Sequence, residues 1–284
     1  MAGWASSMEW LYRARIADES PSFHKHTMSH LLLFGPGYSA SHVAERARSR
    51  GMRVTAIRRS TFDDEDMVHH AIATATHILS SVPPEREGDA VLARYGQVIA
   101  EAPARWVGYL SSTGVYGDSG GAWIDESAAV AGRRPARNSA DLAWQRIHPR
   151  IRVFRLPGIY GPGRSALDRL REGRAHRIAL PDQVFSRIHV EDLADAVAAS
   201  FEDGPPGVYN IADDLPAPQN DVVSCAAAML GIAPPPIQTM DEAGLSEMAR
   251  AFYGENRRIA NGKAKRLLGW VPRHPDFWAG LRGC

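Results

Sequence analysis

The sequence predicts an α/β protein: a doubly wound parallel sheet with a smaller helix-rich C-terminal lobe. Three observations predict it. Short apolar runs alternate with helix-period segments along most of the chain, which is the pattern of parallel strands joined by crossover helices. The first apolar run, Leu31-Leu32-Leu33-Phe34, enters Gly35-x-Gly37-x-x-Ala40, a glycine turn of the kind that opens a helix toward a phosphate. The length of 284 residues, 44% of them hydrophobic, suits one large domain with a small companion.

The elements follow in order. Residues 1–27 lack a continuous apolar core. Trp4, Met8, Leu11 and Tyr12 could share one helix face, but Glu9, Asp18 and Glu19 oppose a transit-peptide reading, so a disordered extension is expected. A strand at His30–Phe34 leads through the glycine turn to a helix at Ser39–Arg50, stopped by Gly51. A second strand spans Arg53–Ile57, then a helix Asp63–Thr74 and a strand His77–Val82. The link after Ile57 is short: either Ser60-Thr61-Phe62 is a vestigial edge strand or that strand is missing. A helix at Ala90–Ala100 and a strand at Trp106–Ser111 precede Gly117–Arg137, whose Gly, Ala, Arg and acids predict a long surface loop. A helix at Ser139–Ile147, a strand at Ile151–Leu156, helices at Ala166–Arg171 and Glu191–Phe201 and a strand at Gly207–Ala212 complete the pattern. The implied division is a sheet domain of residues 28–163 and 185–212 and a lobe of residues 164–184 and 213–284.

Composition removes several function classes. A net charge of +1 gives no global attraction to nucleic acid or membrane. No apolar run approaches the ~18–20 residues of a membrane span. Cys225 and Cys284 are the only cysteines and neither has a Cys or His partner at ligand spacing. Neither a disulfide framework nor a metal site is expected, and a reducing cytoplasm fits. His189, Glu191 and Asp192 are read as a helix start, with the two acids favoured there by the macrodipole.

The glycine turn matches the dinucleotide fingerprint in its Ala-ending form. Gly35 permits the tight turn, Gly37 lets the backbone approach a pyrophosphate, and small Ala40 lets helix and strand pack closely. Tyr38 and Ser39 complete that loop. About 20 residues on, an NAD-binding chain offers an acid to the ribose hydroxyls. Here the second strand ends Arg58-Arg59. Guanidinium groups suit a 2′-phosphate, so NADP is expected, with NAD still allowed. Ser81 and Pro83, where the next strand ends, complete the expected cofactor set. Leu110-Ser111-Ser112-Thr113-Gly114-Val115-Tyr116-Gly117 ends a strand at the sheet's carboxyl edge, where ligands bind in such folds. Its hydroxyls either hold a substrate carbonyl or cap the strand end.

Four blocks then occur in a telling order: Gly35–Ala40, Ser111–Gly117, Arg155-Leu156-Pro157-Gly158-Ile159-Tyr160-Gly161-Pro162-Gly163-Arg164, and Arg187-Ile188-His189-Val190-Glu191-Asp192-Leu193-Ala194. Together they resemble the extended short-chain dehydrogenase/reductases, the NAD-dependent epimerase/dehydratase family, from about residue 29 to the end of the sequence. The resemblance implies a Rossmann domain with a substrate lobe. It makes Ser112 the catalytic hydroxyl, and places Thr113 and Arg164 at the substrate cleft. The family's Tyr-x-x-Ser-Lys, aligned on Ser139, falls with Ala136 at the tyrosine and Ala140 at the lysine. No lysine lies anywhere between Lys25 and Lys263. The chain is therefore similar to the atypical subgroup that keeps the cofactor fold without the full active site. Tyr116 is the remaining proton source, a weak one at a pKa near 10. Arg134 and Arg137 could hold an anionic substrate group but would be poor proton donors; a solvated loop is the favoured reading. Two functions follow by resemblance: an NAD(P)-binding oxidoreductase or epimerase-like enzyme for a small oxygen-rich substrate such as a sugar nucleotide, or a non-catalytic dinucleotide-binding module. A homodimer is compatible with either.

Overall fold

A computed structural model describes residues 28–284; the extension expected over residues 1–27 lies outside the described residues. The chain opens with β1 (His30–Phe34), α1 (Tyr38–Ser49), β2 (Arg53–Ile57), α2 (Glu65–Thr74), β3 (His77–Ser80), α3 (Ala90–Ala100) and β4 (Trp106–Ser112). It continues through β5 (Trp123–Ile124), α4 (Pro135–Ile147), β6 (Ile151–Leu156), β7 (Gly158–Tyr160), α5 (Ala166–Arg171), β8 (Arg177–Ile178), β9 (Arg187–His189), α6 (Val190–Ala199) and β10 (Gly207–Asn210). The last part holds α7 (Gln219–Met229), β11 (Ile237–Gln238), α8 (Glu247–Tyr253), β12 (Arg258–Ile259), α9 (Gly262–Leu268) and α10 (Phe277–Arg282).

Six strands form one sheet in the order β10-β6-β4-β3-β1-β2, every pair parallel. Both faces are covered, which explains why the central strands are continuous apolar runs rather than alternating ones. On one face Leu31, Leu33 and Phe154 pack with α1 and α6. On the other, Leu32, Phe34, Val107 and Val153 pack with α2, α3 and α4. Leu31, Leu32, Leu33 and Phe34 are fully buried, each worth roughly 1.5–3 kcal/mol of apolar transfer.

The choice left open after β2 is settled. Arg59–Thr61 is a single 3₁₀ turn. Arg58 N–H donates to Thr61 Oγ1 at 3.0 Å, and that hydroxyl donates back to Arg58 O at 3.2 Å. A side chain that closes the turn on itself leaves nothing to pair outward, so β2 is the sheet edge. The outer strand is missing, not vestigial.

The stretch Gly117–Arg137 is not wholly a loop. β5 pairs with β12 in parallel, and α4 begins at Pro135 rather than Ser139. Proline at the first helical position needs no N–H partner and presets φ, so it starts this helix. The segment 213–284, expected wholly in the lobe, divides. Ala217, Val222, Cys225, Phe277 and Leu281 form the lobe core with Ala166 and Leu167, whereas Ala264, Leu268 and Trp270 join the core of the sheet. Among the described residues no helix is long and apolar enough to cross a membrane.

Candidate active site

The glycine loop is built as its spacing requires. Gly35 has φ +74, and a Cβ there would stand 2.9 Å from Val82 Cγ2. Ser81 N–H donates to Phe34 O at 3.0 Å, which brings the turn Ser81-Val82-Pro83 against the loop. Gly37 is the N-cap of α1 and is exposed. A Cβ on Gly37 would meet nothing within 4 Å. Gly37 therefore leaves open surface at the start of α1. Ala40 is fully buried under the sheet-side face of α1. Arg58 and Arg59 are exposed at the end of β2, on the side to which α1 presents its N-terminus.

Tyr38 reaches across to the next cleft loop. Its hydroxyl donates to Pro162 O at 3.2 Å, and the Arg164 guanidinium lies 5.6 Å from its ring centroid. Gly161 explains the fit, because a Cβ there would sit 2.6 Å from the Tyr38 hydroxyl.

Ser112 and Thr113 end β4 and line a cavity of about 170 Å³ with Arg133, Arg134, Arg137 and Arg257. Gly114 N–H donates to Ser112 Oγ at 3.1 Å. Ser112 lines the cavity, and its hydroxyl can still donate to a group placed there. An adjoining cleft of about 870 Å³ shares Arg134, Gly158, Phe185, Ser186 and Phe252 with it and extends to Arg164, Arg169 and Tyr253.

Two expectations are corrected here. Tyr116 is only 6% exposed and its hydroxyl donates to Asn210 Oδ1 at 2.7 Å. The Arg155 guanidinium covers its ring at 4.7 Å, and burial pushes the phenol above its ordinary pKa. It is a core tyrosine turned away from the cavity. Arg137, expected in a solvated loop, stands instead in α4. Ala140 is buried among Tyr95, Tyr109 and Trp144, facing the sheet core. The helix face toward the end of β4 carries Arg137, which lines the cavity, and Asp141 one turn later. Ser111 Oγ donates to Asp141 Oδ2 at 2.6 Å. Arg155 grips the same carboxylate twice, with NH2 to Oδ1 at 2.7 Å and Nε to Oδ2 at 3.1 Å. Residues four apart share a helix face, so Arg137 and Asp141 are the α4 side chains turned toward the end of β4, while Ala140 faces the core. Arg137 is thus not a solvated loop residue. Burial, then the charge of Arg134, push its pKa below the ordinary arginine value.

Long-range contacts set that rotation. Trp144 stacks on Tyr109 at 5.0 Å and 9° and donates its indole N–H to Asp89 Oδ2 at 2.8 Å. Sequence reasoning also missed Glu255, which bridges Arg133 at 2.7 Å and Arg257 at 2.5 Å on the cavity wall. Its Arg133 partner stands 122 residues away, so only the fold brings those two together.

His189 and Asp192 do begin a helix, but they also converge with His274, their ligand atoms lying within 4.8 Å of one another. Asp192 is spent on the Arg273 N–H at 2.7 Å and on His274 N–H and Nδ1, both at 2.9 Å. His189 Nδ1 accepts from Glu191 N–H at 3.3 Å. The cluster pins the C-terminal segment to α6.

No family model matches the sequence. A functionally unknown conserved protein from Silicibacter pomeroyi is 41% identical, with 90% of this chain and 97% of that one covered at a TM-score of 0.80. The human epimerase family protein SDR39U1, solved with NADPH, is 18% identical over 89% of this chain and 98% of its own, with a TM-score of 0.71. The Bordetella bronchiseptica enzyme WbmG, solved with NAD, is 15% identical over 92% and 94%, also at 0.71. A 3-diazoavenalumate denitrifying reductase from a Streptomyces species is 33% identical over 172 residues, which span 56% of this chain and 53% of the reductase. The chain thus matches about half the length of that curated relative.

Proposed function

The chain belongs to one family with the Silicibacter pomeroyi protein and carries the extended short-chain dehydrogenase/reductase fold, and on that premise we propose that it is an NADP(H)-dependent oxidoreductase acting on a small, oxygen-rich, anionic substrate. Gly37 carries the reading: an exposed N-cap glycine whose missing side chain leaves a space no protein atom uses. Gly35, Gly37, Tyr38, Ser39 and Ala40 would hold the pyrophosphate, Arg58 and Arg59 the 2′-phosphate, with Ser81 and Pro83 flanking the ring side. The solved relatives that carry NADPH or NAD support the cofactor class, and the Streptomyces reductase supports the reaction class. NAD remains the second choice.

When bound, the nicotinamide supplies or accepts a hydride. The chain's own part is to orient and polarise. Ser112 donates its free hydrogen to a substrate oxygen in the cavity, and Thr113 and Arg164 line the path to it. A guanidinium does not give up its proton near neutrality, and Tyr116 is committed to Asn210. The oxygen of a reduced carbonyl therefore takes its proton from water, and turnover is slow. A sugar nucleotide is one substrate with the required oxygens and charge. A cytoplasmic location goes with this reading, as the two isolated cysteines lead one to expect.

A non-catalytic dinucleotide-binding module, a redox sensor or partner subunit, is the second reading, favoured by the loss of the tyrosine and lysine. Tryptophan-fluorescence titration with NADPH and NADH, then cofactor oxidation over a panel of carbonyl compounds, tests both. The proposal expects NADPH to bind and Ser112→Ala to lower turnover about 10²-fold, as removal of a positioned oxyanion donor does. Cofactor binding with no turnover selects the module, and no dinucleotide binding overturns both.

A further inference from the structure

The two adjoining cavities carry more positive charge than the protein neutralises. Arg133 and Arg257 share Glu255, and Arg187 is spent on Phe185 O, Ala217 O and Gln219 Oε1. Among the described residues, Arg134 and Arg137 have no carboxylate partner in the ion pairs or side-chain hydrogen bonds, although Arg137 is half-buried. An unpaired, partly desolvated guanidinium is costly unless an anion joins it. The N-terminus of α4, a helix of 13 residues, opens beside the same two arginines and adds to the positive potential there.

One part of the wall, at the junction of the two cavities, is aromatic and flat. Phe252 stacks on Phe185 with centroids 4.5 Å apart and planes at 5°. Phe185 is buried, while Phe252 remains 51% exposed. Both rings, like Arg134, line the junction of the two cavities. One face of Phe252 is thus covered by protein and the other is open. Carboxylate acceptors are scarce, although hydroxyls such as those of Ser165, Ser186, Ser246 and Tyr253 line the walls. Glu255 is the one carboxylate on these walls, and it is held by two arginines. Gln219 Oε1 already accepts from Arg187 at 3.1 Å.

We infer that the site takes a flat organic acid: a carboxylate held between Arg134 and Arg137, with its planar apolar body lying on the open face of Phe252. A sugar nucleotide would also satisfy the arginines, and UDP stands for it in the test. Arginine matches a carboxylate through paired parallel N–H donors, and an aromatic acid adds stacking of the kind two phenyl rings already make here. The inference rests on the proposed oxidoreductase reading and replaces its oxygen-rich substrate by a flat organic acid, while the anion site itself rests on the arginines and rings alone.

The test is calorimetric titration of the full chain, without cofactor, with trans-cinnamate, with cyclohexanecarboxylate, with UDP and with inorganic phosphate. Saturable trans-cinnamate binding is expected, tighter than the other three. Arg137→Gln should weaken it about 10- to 100-fold, as loss of a charge-assisted hydrogen bond does. Phe252→Ala should bring trans-cinnamate down toward cyclohexanecarboxylate. Arg137→Lys separates charge from fork geometry and should recover only part of the loss. Tighter binding of UDP or phosphate, a Kd unchanged in Arg137→Gln, or no binding of trans-cinnamate overturns the inference. NADPH titration of the same samples keeps the two readings apart. Acid binding with no NADPH binding sinks the oxidoreductase proposal alone, and NADPH binding with no acid binding sinks this inference alone.

Discussion

The glycine loop and helix α4 face each other across one sheet edge and have fared differently. The loop keeps every feature that a dinucleotide needs: φ +74 at Gly35, open space at Gly37 and a buried Ala40. The face of α4 toward Ser112 holds Arg137 and Asp141 instead of a proton-donating pair. Asp141 is fully buried and satisfied by Ser111, Gln145 and Arg155. One region leaves open space at a glycine; the other is tied down by a buried charge network.

The sharpest way to break that comparison is to remove the fixed charge. Asp141→Ala leaves Arg155, whose side chain is 3% exposed, as an uncompensated cation inside the protein. Breaking one half of such a buried pair costs about 3–5 kcal/mol. Urea unfolding should show that loss, and Asp141→Ala with Arg155→Met should recover much of it, because an apolar pair of similar volume is tolerated. A loss below about 1 kcal/mol in the single variant would mean that the network does not hold α4 in place.

How much of this was legible follows from where each signal resides. β1, β2, α3 and β6 agree with the sequence to the residue, because buried runs of Leu, Val and Ile bounded by turn residues are local signals. The glycine loop was legible for the same reason. The rotation of α4 was not. Aligning on Ser139 fixes a spacing of four but not which face points inward; Trp144 decides that by reaching Asp89 and Tyr109. Tyr116 looked available because a strand end is where catalytic hydroxyls stand. Only the fold brings Asn210 and Arg155 to it. Glu255 and Phe252 reach the cavity from the lobe, beyond any local window.

The next largest effect lies on the loop side. Gly37→Val should raise the NADPH Kd about 100-fold or more, near 2.7 kcal/mol, by placing a branched side chain where the pyrophosphate approaches. The fold should tolerate it, since a Cβ at Gly37 meets nothing within 4 Å. Gly35→Val is the contrast: at φ +74, with Val82 Cγ2 at 2.9 Å, it should lose stability as well as binding. Normal NADPH affinity in a folded Gly37→Val protein would remove the loop from the cofactor site.

The smallest effect concerns which dinucleotide the loop prefers. Arg58 and Arg59 are exposed and enter no ion pair among the described residues, so their charge is available to a ligand. Arg58 is also where the chain turns out of β2, and its backbone is fixed by Thr61 on both sides. That turn replaces the missing outer strand, so the edge of the sheet presents arginines where a further strand would have stood. A 2′-phosphate meeting such a guanidinium gains a charge-assisted hydrogen bond worth about 1.5–3 kcal/mol, and salt should weaken it because the site faces solvent. Arg58→Asp should therefore cost NADPH about 10- to 100-fold in Kd while leaving NADH nearly unchanged. The turn survives the change, because Thr61 bonds to the backbone of residue 58 and not to its side chain. Parallel titrations at low and high salt would decide it. Equal losses for both cofactors would assign Arg58 to the fold of the edge, and tighter NADH binding by the wild-type protein would reverse the preference.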